Sequence, residues 1–304
     1  MGESWKIIAN PTAGGGKWFA KKIKIESHLR NEQLDFTWHF PKSIAEVHRL
    51  LDSLLREGNL NFISAGGDGT LHHIVNAIMH QDLVATEEIK LGILPLGTGN
   101  DWIKTHKIPS SLKRAVAIIA AGQTRLQDIG WVQYQNEGNQ EERYFCNVAG
   151  TGFEATVVLK SLTMSKGGLK GLFLYLALVL RTLFRYVSQM HAVNDREAKP
   201  MLMATIGICR FNGGGMKLVP DADPFDGLFD LTTIGDLSHG EVIGNLAKLY
   251  NGRIYKHSKV TFERVKVCHI DGPEPIPIEA DGEYLGLSPA KFEILPARVR
   301  FIVP

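Results

Sequence analysis

Up to Gly122 the chain alternates short apolar runs with amphipathic segments. Residues 5–9, 36–40, 61–65 and 91–94 are apolar runs that predict strands. The first, third and fourth end in turn residues and lack polar alternation, which predicts strands buried on both faces. Between them, 17–31, 43–56, 71–80 and 110–121 predict helices. In the second of these, Ile44, Val47, Leu50, Leu51, Leu54 and Leu55 recur at i, i+3, i+4 spacing and draw one apolar stripe along a helix. Strand and helix in alternation predict a parallel sheet covered on both faces, an α/β domain over residues 1–124.

After Gly122 the texture changes. Residues 125–135, 143–149, 201–211, 228–234, 259–268 and 275–280 predict strands, with only two helices expected, at 169–189 and 239–249. The polar stretch 136–142 reads as a hairpin tip. This half, 125–291, is expected to be an antiparallel β-sandwich, and the final run, 291–303, fits either domain. No internal repeat or low-complexity segment interrupts it.

Composition narrows the class. The 304 residues hold 34 Lys+Arg against 32 Asp+Glu, a net +2, which lacks the basic excess of a dedicated nucleic-acid binder. A hydrophobic content of 44% excludes a disordered chain. Cys146, Cys209 and Cys268 are odd in number and far apart, so neither a disulfide framework nor a zinc site is expected, and reduced thiols in a cytoplasm are. The start, Met1-Gly2-Glu3-Ser4-Trp5-Lys6, has no charged-then-apolar leader pattern. The most apolar run, 171–180, meets Arg181 and Arg185, well short of the roughly 20 residues a spanning helix needs. It reads as a core helix, or as one touching a bilayer surface beside Lys166, Lys170, Arg181 and Arg185.

Glycine supplies 31 positions, and many sit in four loops at the ends of predicted strands. These are Asn10-Pro11-Thr12-Ala13-Gly14-Gly15-Gly16-Lys17, Gly66-Gly67-Asp68-Gly69-Thr70, Pro95-Leu96-Gly97-Thr98-Gly99-Asn100-Asp101 and Ala149-Gly150-Thr151-Gly152-Phe153-Glu154. The carboxyl edge of an open α/β sheet is where ligands bind. A glycine loop that opens a helix aims N–H groups at phosphate, and the predicted helix 71–80 starts directly after Thr70. Asp68 would repel such a phosphate, so a divalent cation, a basic side chain or a hydrogen-bond network must neutralise it. Trp18 after Lys17 excludes a Walker A loop, and Gly97-Thr98-Gly99 lacks the third glycine of a dinucleotide fingerprint.

In series, Asn10-Pro11 with Gly14-Gly15, the Gly66–Thr70 motif and Gly97-Thr98-Gly99-Asn100-Asp101 resemble the diacylglycerol kinase catalytic domain, above all that of the soluble bacterial lipid kinases. The match continues through Gly150-Thr151-Gly152-Phe153, Pro220-Asp221-Ala222, Asp226-Gly227-Leu228 and Asp281-Gly282-Glu283. The resemblance implies an α/β/α nucleotide domain, then a β-sandwich, with the segment from about 292 to 304 returning to the first domain and ATP between the two. It implies ATP-dependent phosphorylation of a lipid hydroxyl. By position Asn10, Gly66, Gly67, Asp68, Gly69, Thr70, Leu71 and His72 would cradle the triphosphate, and Gly97, Thr98, Asn100 and Asp101 would line the site. Thr37 would match a nucleotide-contacting threonine. A structural Mg²⁺ would be held by Asp226 and the carbonyls of Asp223 and Leu228. Glu283 matches the proton acceptor, with Asp281 as the alternative, and Asp68 and Asp101 would join an acidic network around Mg²⁺–ATP.

The bland alternatives stay open at this stage. Asp281-Gly282 and Asp226-Gly227 are also ordinary turn sequences. Lys17, Lys21, Lys22 and Lys24 read as a solvated face that also suits an anionic lipid surface. His72 and His73 point about 100° apart on a helix and make no shared metal site, His72 lying near the nucleotide. Asn212-Gly213-Gly214-Gly215 reads as a turn beside the site. An NAD kinase and a non-catalytic nucleotide-binding regulator are the rival functions. The sequence names neither the acceptor lipid nor whether a homodimer forms.

Overall fold

A computed structural model describes residues 4–10, 18–165 and 172–304. Most of the first glycine loop, Pro11 to Lys17, and the residues Lys166, Lys170 and Gly171 lie outside the described residues. The chain divides into two compact units. The first gathers Met1–Ile129, Pro224–Asp226 and Leu295–Pro304, and the second Gly130–Asp223 and Gly227–Ile294.

The first unit runs β1 (Ser4–Ala9), α1 (Trp18–Asn31), β2 (Asp35–His39), α2 (Ile44–Arg56), β3 (Asn61–Gly66), α3 (Asp68–His80), β4 (Lys90–Pro95), α4 (Asp101–Thr105) and α5 (Leu112–Ala121). Its strands pair in parallel in the order β4-β3-β1-β2. The buried apolar runs are the central strands: every residue of β3 is buried, as are all but the first of β4, while β2 at the edge is half exposed. Helix α2 opens on Ser43, whose side chain accepts from the Glu46 N–H, and buries Val47, Leu51, Leu54 and Leu55, the expected stripe. The last residues of the chain add a further parallel strand beside β4, pairing Arg300 with Lys90 and Phe301 with Leu91.

The second unit holds the later part of β5 (Thr124–Asn136), then β6 (Asn139–Phe145), β7 (Val148–Gly152), α6 (Phe153–Ser165), α7 (Leu172–Leu183), β8 (Gln189–Val193), β9 (Lys199–Gly207), β10 (Phe229–Gly235), α8 (His239–Asn251), β11 (Val260–Val265), β12 (Val267–Asp271), β13 (Pro277–Ala280) and most of β14 (Glu283–Ile302). Along the path β9-β7-β13-β14-β12-β8 and back to β9 every pairing is antiparallel, to give the β-sandwich. Phe145 stacks on Phe229 at 5.7 Å and meets Phe292 edge-on at 6.4 Å.

Five local expectations need correction. The hairpin tip expected at 136–142 is only Glu137 and Gly138, since β5 and β6 extend into that stretch. The strand expected at 143–149 is the end of β6 and the start of β7, broken at Cys146 and Asn147. Residues 153–165 form α6, although Thr156, Val157 and Val158 are β-branched and favour strand; tertiary packing overrides that propensity. The helix expected at 169–189 ends at Leu183, and Gln189 already belongs to β8. The strand expected at 259–268 is two strands, β11 and β12, which break at Lys266 and pair with different partners.

Candidate active site

In the first unit the loops after β3 and β4 lie against each other. A Cβ on Gly97 would stand 2.4 Å from the Gly67 Cα, so both loops need glycine to approach this closely. The amides of Leu96 and Gly97 donate to the Gly66 carbonyl at 2.8 and 3.1 Å, and the Asn100 side chain donates to the Gly97 carbonyl at 2.8 Å. Asn100 itself sits in the left-handed region, φ 47°, and turns the chain into α4.

The question Asp68 raised in the sequence has a structural answer. Its carboxylate accepts the backbone N–H groups of Asp101 at 3.0 Å and Trp102 at 3.2 Å, the opening of α4. Charge-assisted bonds and the helix start hold the anion in place. Asp101 is in turn paired with Lys104. Trp102 is fully buried, donates through Nε1 to Gln127 at 3.1 Å and stacks on His106 at 3.9 Å. Burial pushes the His106 imidazole down to about 3, so it stays neutral in this stack.

A cavity of about 370 Å³ opens at the carboxyl ends of β1 and β2, lined among others by Ala9, Asn10, Ser43, Thr70 and His73. That size suits part of a nucleotide. Asn10 and Thr70, both expected at the site, share this wall. Thr37 is not on it: its hydroxyl is exposed and bonds the His39 ring at 3.1 Å. Thr98 is exposed on the β4 loop. Leu71 and His72 are buried, and the His72 ring meets the Asn76 amide at 3.3 Å, so these two have only backbone to offer a ligand.

In the second unit Asp281 and Gly282 form a two-residue hairpin turn between β13 and β14, with φ of 52° and 83°. The Asp281 carboxylate accepts three backbone N–H groups, from Cys146 at 3.0 Å, Asn147 at 2.9 Å and Val148 at 3.2 Å. Its own N–H donates to the Val148 carbonyl at 2.8 Å. Both oxygens are thus committed to fixing the turn against β7. Glu283, next along, is half-buried and pairs with Ala280 across the turn. The geometry thus gives Asp281 a structural task, the clamp on the turn.

Sequence reasoning missed a second acid pair. Glu279, 2% exposed on β13, accepts the Gly282 N–H at 2.9 Å. Glu154, at the first turn of α6, has its carboxyl enclosed and receives Thr205 Oγ1 at 3.1 Å and the Asn212 side-chain amide. The two carboxyls converge over Gly150, where an added Cβ would stand 2.5 Å from Glu154 Oε2 and 3.1 Å from Glu279 Oε1. Burial pushes Glu154 up to about 7. Burial, then the Glu154 charge, holds Glu279 well above the usual carboxylate range. A glutamate between the buried residues Ile278 and Ala280 was the available signal. Asn212, in the glycine-rich turn, belongs to this network.

For the proposed metal ligands, Asp226 falls in the first unit and Asp223 and Leu228 in the second. The segment 224–226 is tied to the first unit by the Asp128 N–H on the Pro224 carbonyl at 2.9 Å and by Phe225, whose ring lies 3.5 Å from the Arg125 guanidinium. Among the described residues no group of three or more His, Cys, Asp or Glu is placed to hold a metal ion. A single carboxylate with two carbonyls is nevertheless a hard-oxygen set that suits Mg²⁺.

Comparison with known proteins matches each half separately. Residues 4–132 match the diacylglycerol kinase catalytic domain, and residues 147–303 the YegS C-terminal NAD kinase beta sandwich-like domain. The chain is a lipid kinase of this two-domain type. Among curated proteins it is similar to a diacylglycerol kinase of Staphylococcus epidermidis, 30% identical over 98% of this chain and 92% of that one. It is 29% identical to one of Staphylococcus carnosus, over 98% and 94%. The chain belongs to the diacylglycerol kinase family. A crystal structure of a diacylglycerol kinase from Bacillus anthracis has the same fold, with a TM-score of 0.72 at 18% identity over 99% of this chain and 97% of that one. No helix among the described residues is long and apolar enough to cross a membrane.

Proposed function

We propose that the protein transfers the γ-phosphoryl group of ATP to the hydroxyl of diacylglycerol or a closely related lipid, with Mg²⁺ required. The observation that carries this reading is the paired glycine loops of the first unit, joined by the Asp68 clamp on α4. Backbone there can approach a triphosphate as no side-chain-bearing loop could. The residues assigned to hold the nucleotide are Asn10, Gly66–Thr70 and Gly97–Asp101, with the α3 N-terminus facing phosphate. Bound Mg²⁺ would offset the phosphate charge during transfer, and Asp226 with the Asp223 and Leu228 carbonyls would hold a structural ion.

In the proposed reaction Glu283 takes the proton from the lipid hydroxyl as that oxygen bonds to phosphorus, and ADP departs as the bond to the bridging oxygen breaks. Asp281 keeps Glu283 in place. The test is label transfer from γ-labelled ATP to a panel of lipids in mixed micelles, with NAD as a parallel acceptor. Labelled lipid and unlabelled NAD support the reading; labelled NAD alone overturns it.

A further inference from the structure

The fourth glycine motif, Gly150-Thr151-Gly152-Phe153-Glu154, is not an open loop. Gly150 to Gly152 are buried in β7, and Phe153 and Glu154 begin α6. What the glycine at 150 provides is room. It pairs with Thr205 of β9 on one side and Glu279 of β13 on the other, so the three share one face of the sheet. Glu154 lies over that face, with Oε2 receiving Thr205 Oγ1 at 3.1 Å and Oε1 the Asn212 side-chain amide. Glu154 Oε2 and Glu279 Oε1 then turn toward the same point, the place a Cβ at Gly150 would take. The other oxygen of Glu279, Oε2, accepts the Gly282 N–H at 2.9 Å and so reaches the turn that carries Glu283.

Two enclosed carboxylates that face each other are unfavourable unless a proton or a cation lies between them. The charged groups facing Glu279 are acids: Glu154 from α6, and Asp281 and Glu283 from the turn, while Tyr284 is its partner on β14. Further along the same face His191 stands beside Gly152, and burial holds its ring below the ordinary range, so it brings no countercharge at neutral pH. A gap too small for one methyl group, with two carboxyls on it, does not supply the roughly six oxygens of a hard cation, whereas a proton needs only the two. Glu154 has two donors to steady its charge, Thr205 and Asn212; Glu279 has one amide and three acids around it, so the proton belongs on Glu279. Burial, which raises both carboxyls, agrees with this. We propose that Glu279 is a positioning residue for Glu283: protonated, it donates its hydroxyl to the Glu154 carboxylate and accepts the Gly282 N–H through its carbonyl oxygen, a second hold on the turn beside that of Asp281. This rests on the reading of Glu283 as the proton acceptor. When the shared proton leaves at high pH, two anions face each other, Glu279 withdraws from the turn, and turnover falls.

The test uses the full chain with γ-labelled ATP and diacylglycerol in mixed micelles. Glu279→Ala removes the hold and should lower kcat about tenfold or more, with KM for ATP unchanged because ATP is assigned to the loops of the first unit. Glu279→Gln keeps an oxygen for Gly282 and an N–H for Glu154, so it should restore most of kcat. Since it cannot titrate, the alkaline fall of the parent should move to higher pH or vanish. Two readouts need no turnover. Infrared spectra in heavy water should show a protonated-carboxyl stretch in the parent at neutral pH that Glu279→Gln lacks. Hydrogen exchange of the Gly282 amide should be slow in the parent and in Glu279→Gln, and fast in Glu279→Ala. A parent without the infrared band, a glutamine variant as slow as the alanine one, or an alanine variant as fast as the parent overturns the proposal. Parental turnover in Glu283→Gln would defeat the proton-acceptor reading and the proposal with it; parental turnover in Glu279→Ala beside an inactive Glu283→Gln would defeat the proposal alone. If no lipid is labelled, the kinase reading fails, and the infrared band and the Gly282 exchange decide the hold by themselves.

Discussion

Removing the Asp281 carboxylate separates a residue that holds the turn from one that reacts. In the native chain that carboxylate carries the N–H groups of Cys146, Asn147 and Val148, three residues that are themselves buried. A hydrogen bond to a charged acceptor contributes about 1.5–3 kcal/mol, and a buried donor left alone costs about 1–3 kcal/mol. Asp281 is only half-buried, so water replaces part of what is lost, and Asp281→Ala should cost about 3–5 kcal/mol. Alanine at φ 52° adds about 1 kcal/mol, since the left-handed region suits Asp and Asn better. Asp281→Asn keeps that tolerance and keeps one oxygen for the Asn147 and Val148 amides, so about 1–2 kcal/mol is expected. Glu283→Gln leaves the clamp intact and should lie within about 0.5 kcal/mol of the parent. Urea unfolding, with the slope m unchanged, reads these values. Lipid phosphorylation is measured on the same samples. The expected pattern is that Glu283→Gln is stable and slower by orders of magnitude, while Asp281→Asn is less stable and still active. An Asp281→Ala protein as stable as the parent but inactive would make Asp281 the reacting acid and refute the clamp.

Asp68→Ala removes the acceptor for the Asp101 and Trp102 amides and should lower turnover by orders of magnitude while circular dichroism stays native; near-normal rates would take this loop out of the site. Gly97→Ala places a methyl 2.4 Å from the Gly67 backbone, so the loops must part, and calorimetric ATP affinity should fall about tenfold or more. Unchanged affinity would mean that the loops do not bind phosphate. Glu154 is raised from the ordinary carboxylate range to about 7, so the folded state binds the extra proton between those values. Unfolding free energy should therefore fall as pH rises through that window, and Glu154→Gln should flatten the slope; a parent curve flat across it would contradict the buried acid pair. Asp226→Ala should lower the melting temperature in Mg²⁺ or alter the Mg²⁺ dependence, and a variant unchanged in both respects would leave only a turn there.

The first unit was legible because its buried strands are short continuous apolar runs closed by turn residues, and α2 carries a clear helical stripe. The glycine loops were legible for a similar reason: tight backbone approach permits few other residues, as Gly67 and Gly97 demonstrate. What escaped was chemistry made by contacts distant in sequence. Nothing near Asp68 announces that its countercharge is the start of α4, because the donors are backbone amides common to all residues. Nor does Glu154 announce Glu279; only strand pairing of Gly150 with Glu279 brings the two acids over one glycine. Helix α6 was illegible because its β-branched run argues locally for strand. The cavity that takes in Asn10 and Thr70 but not Thr37 follows from where the chain turns after β2, which periodicity does not encode.

The strand that pairs Arg300 with Lys90 and Phe301 with Leu91 bears on biosynthesis. During translation β4 emerges long before its outer neighbour exists, since residues 295–304 of the first unit follow the whole second unit. Until then its N–H and C=O groups on that side face outward, an open template of the kind that invites pairing between nascent chains. A ribosome paused after residue 294 would therefore present an aggregation-prone intermediate, and a truncated gene encoding only residues 1–129 would make that state permanent.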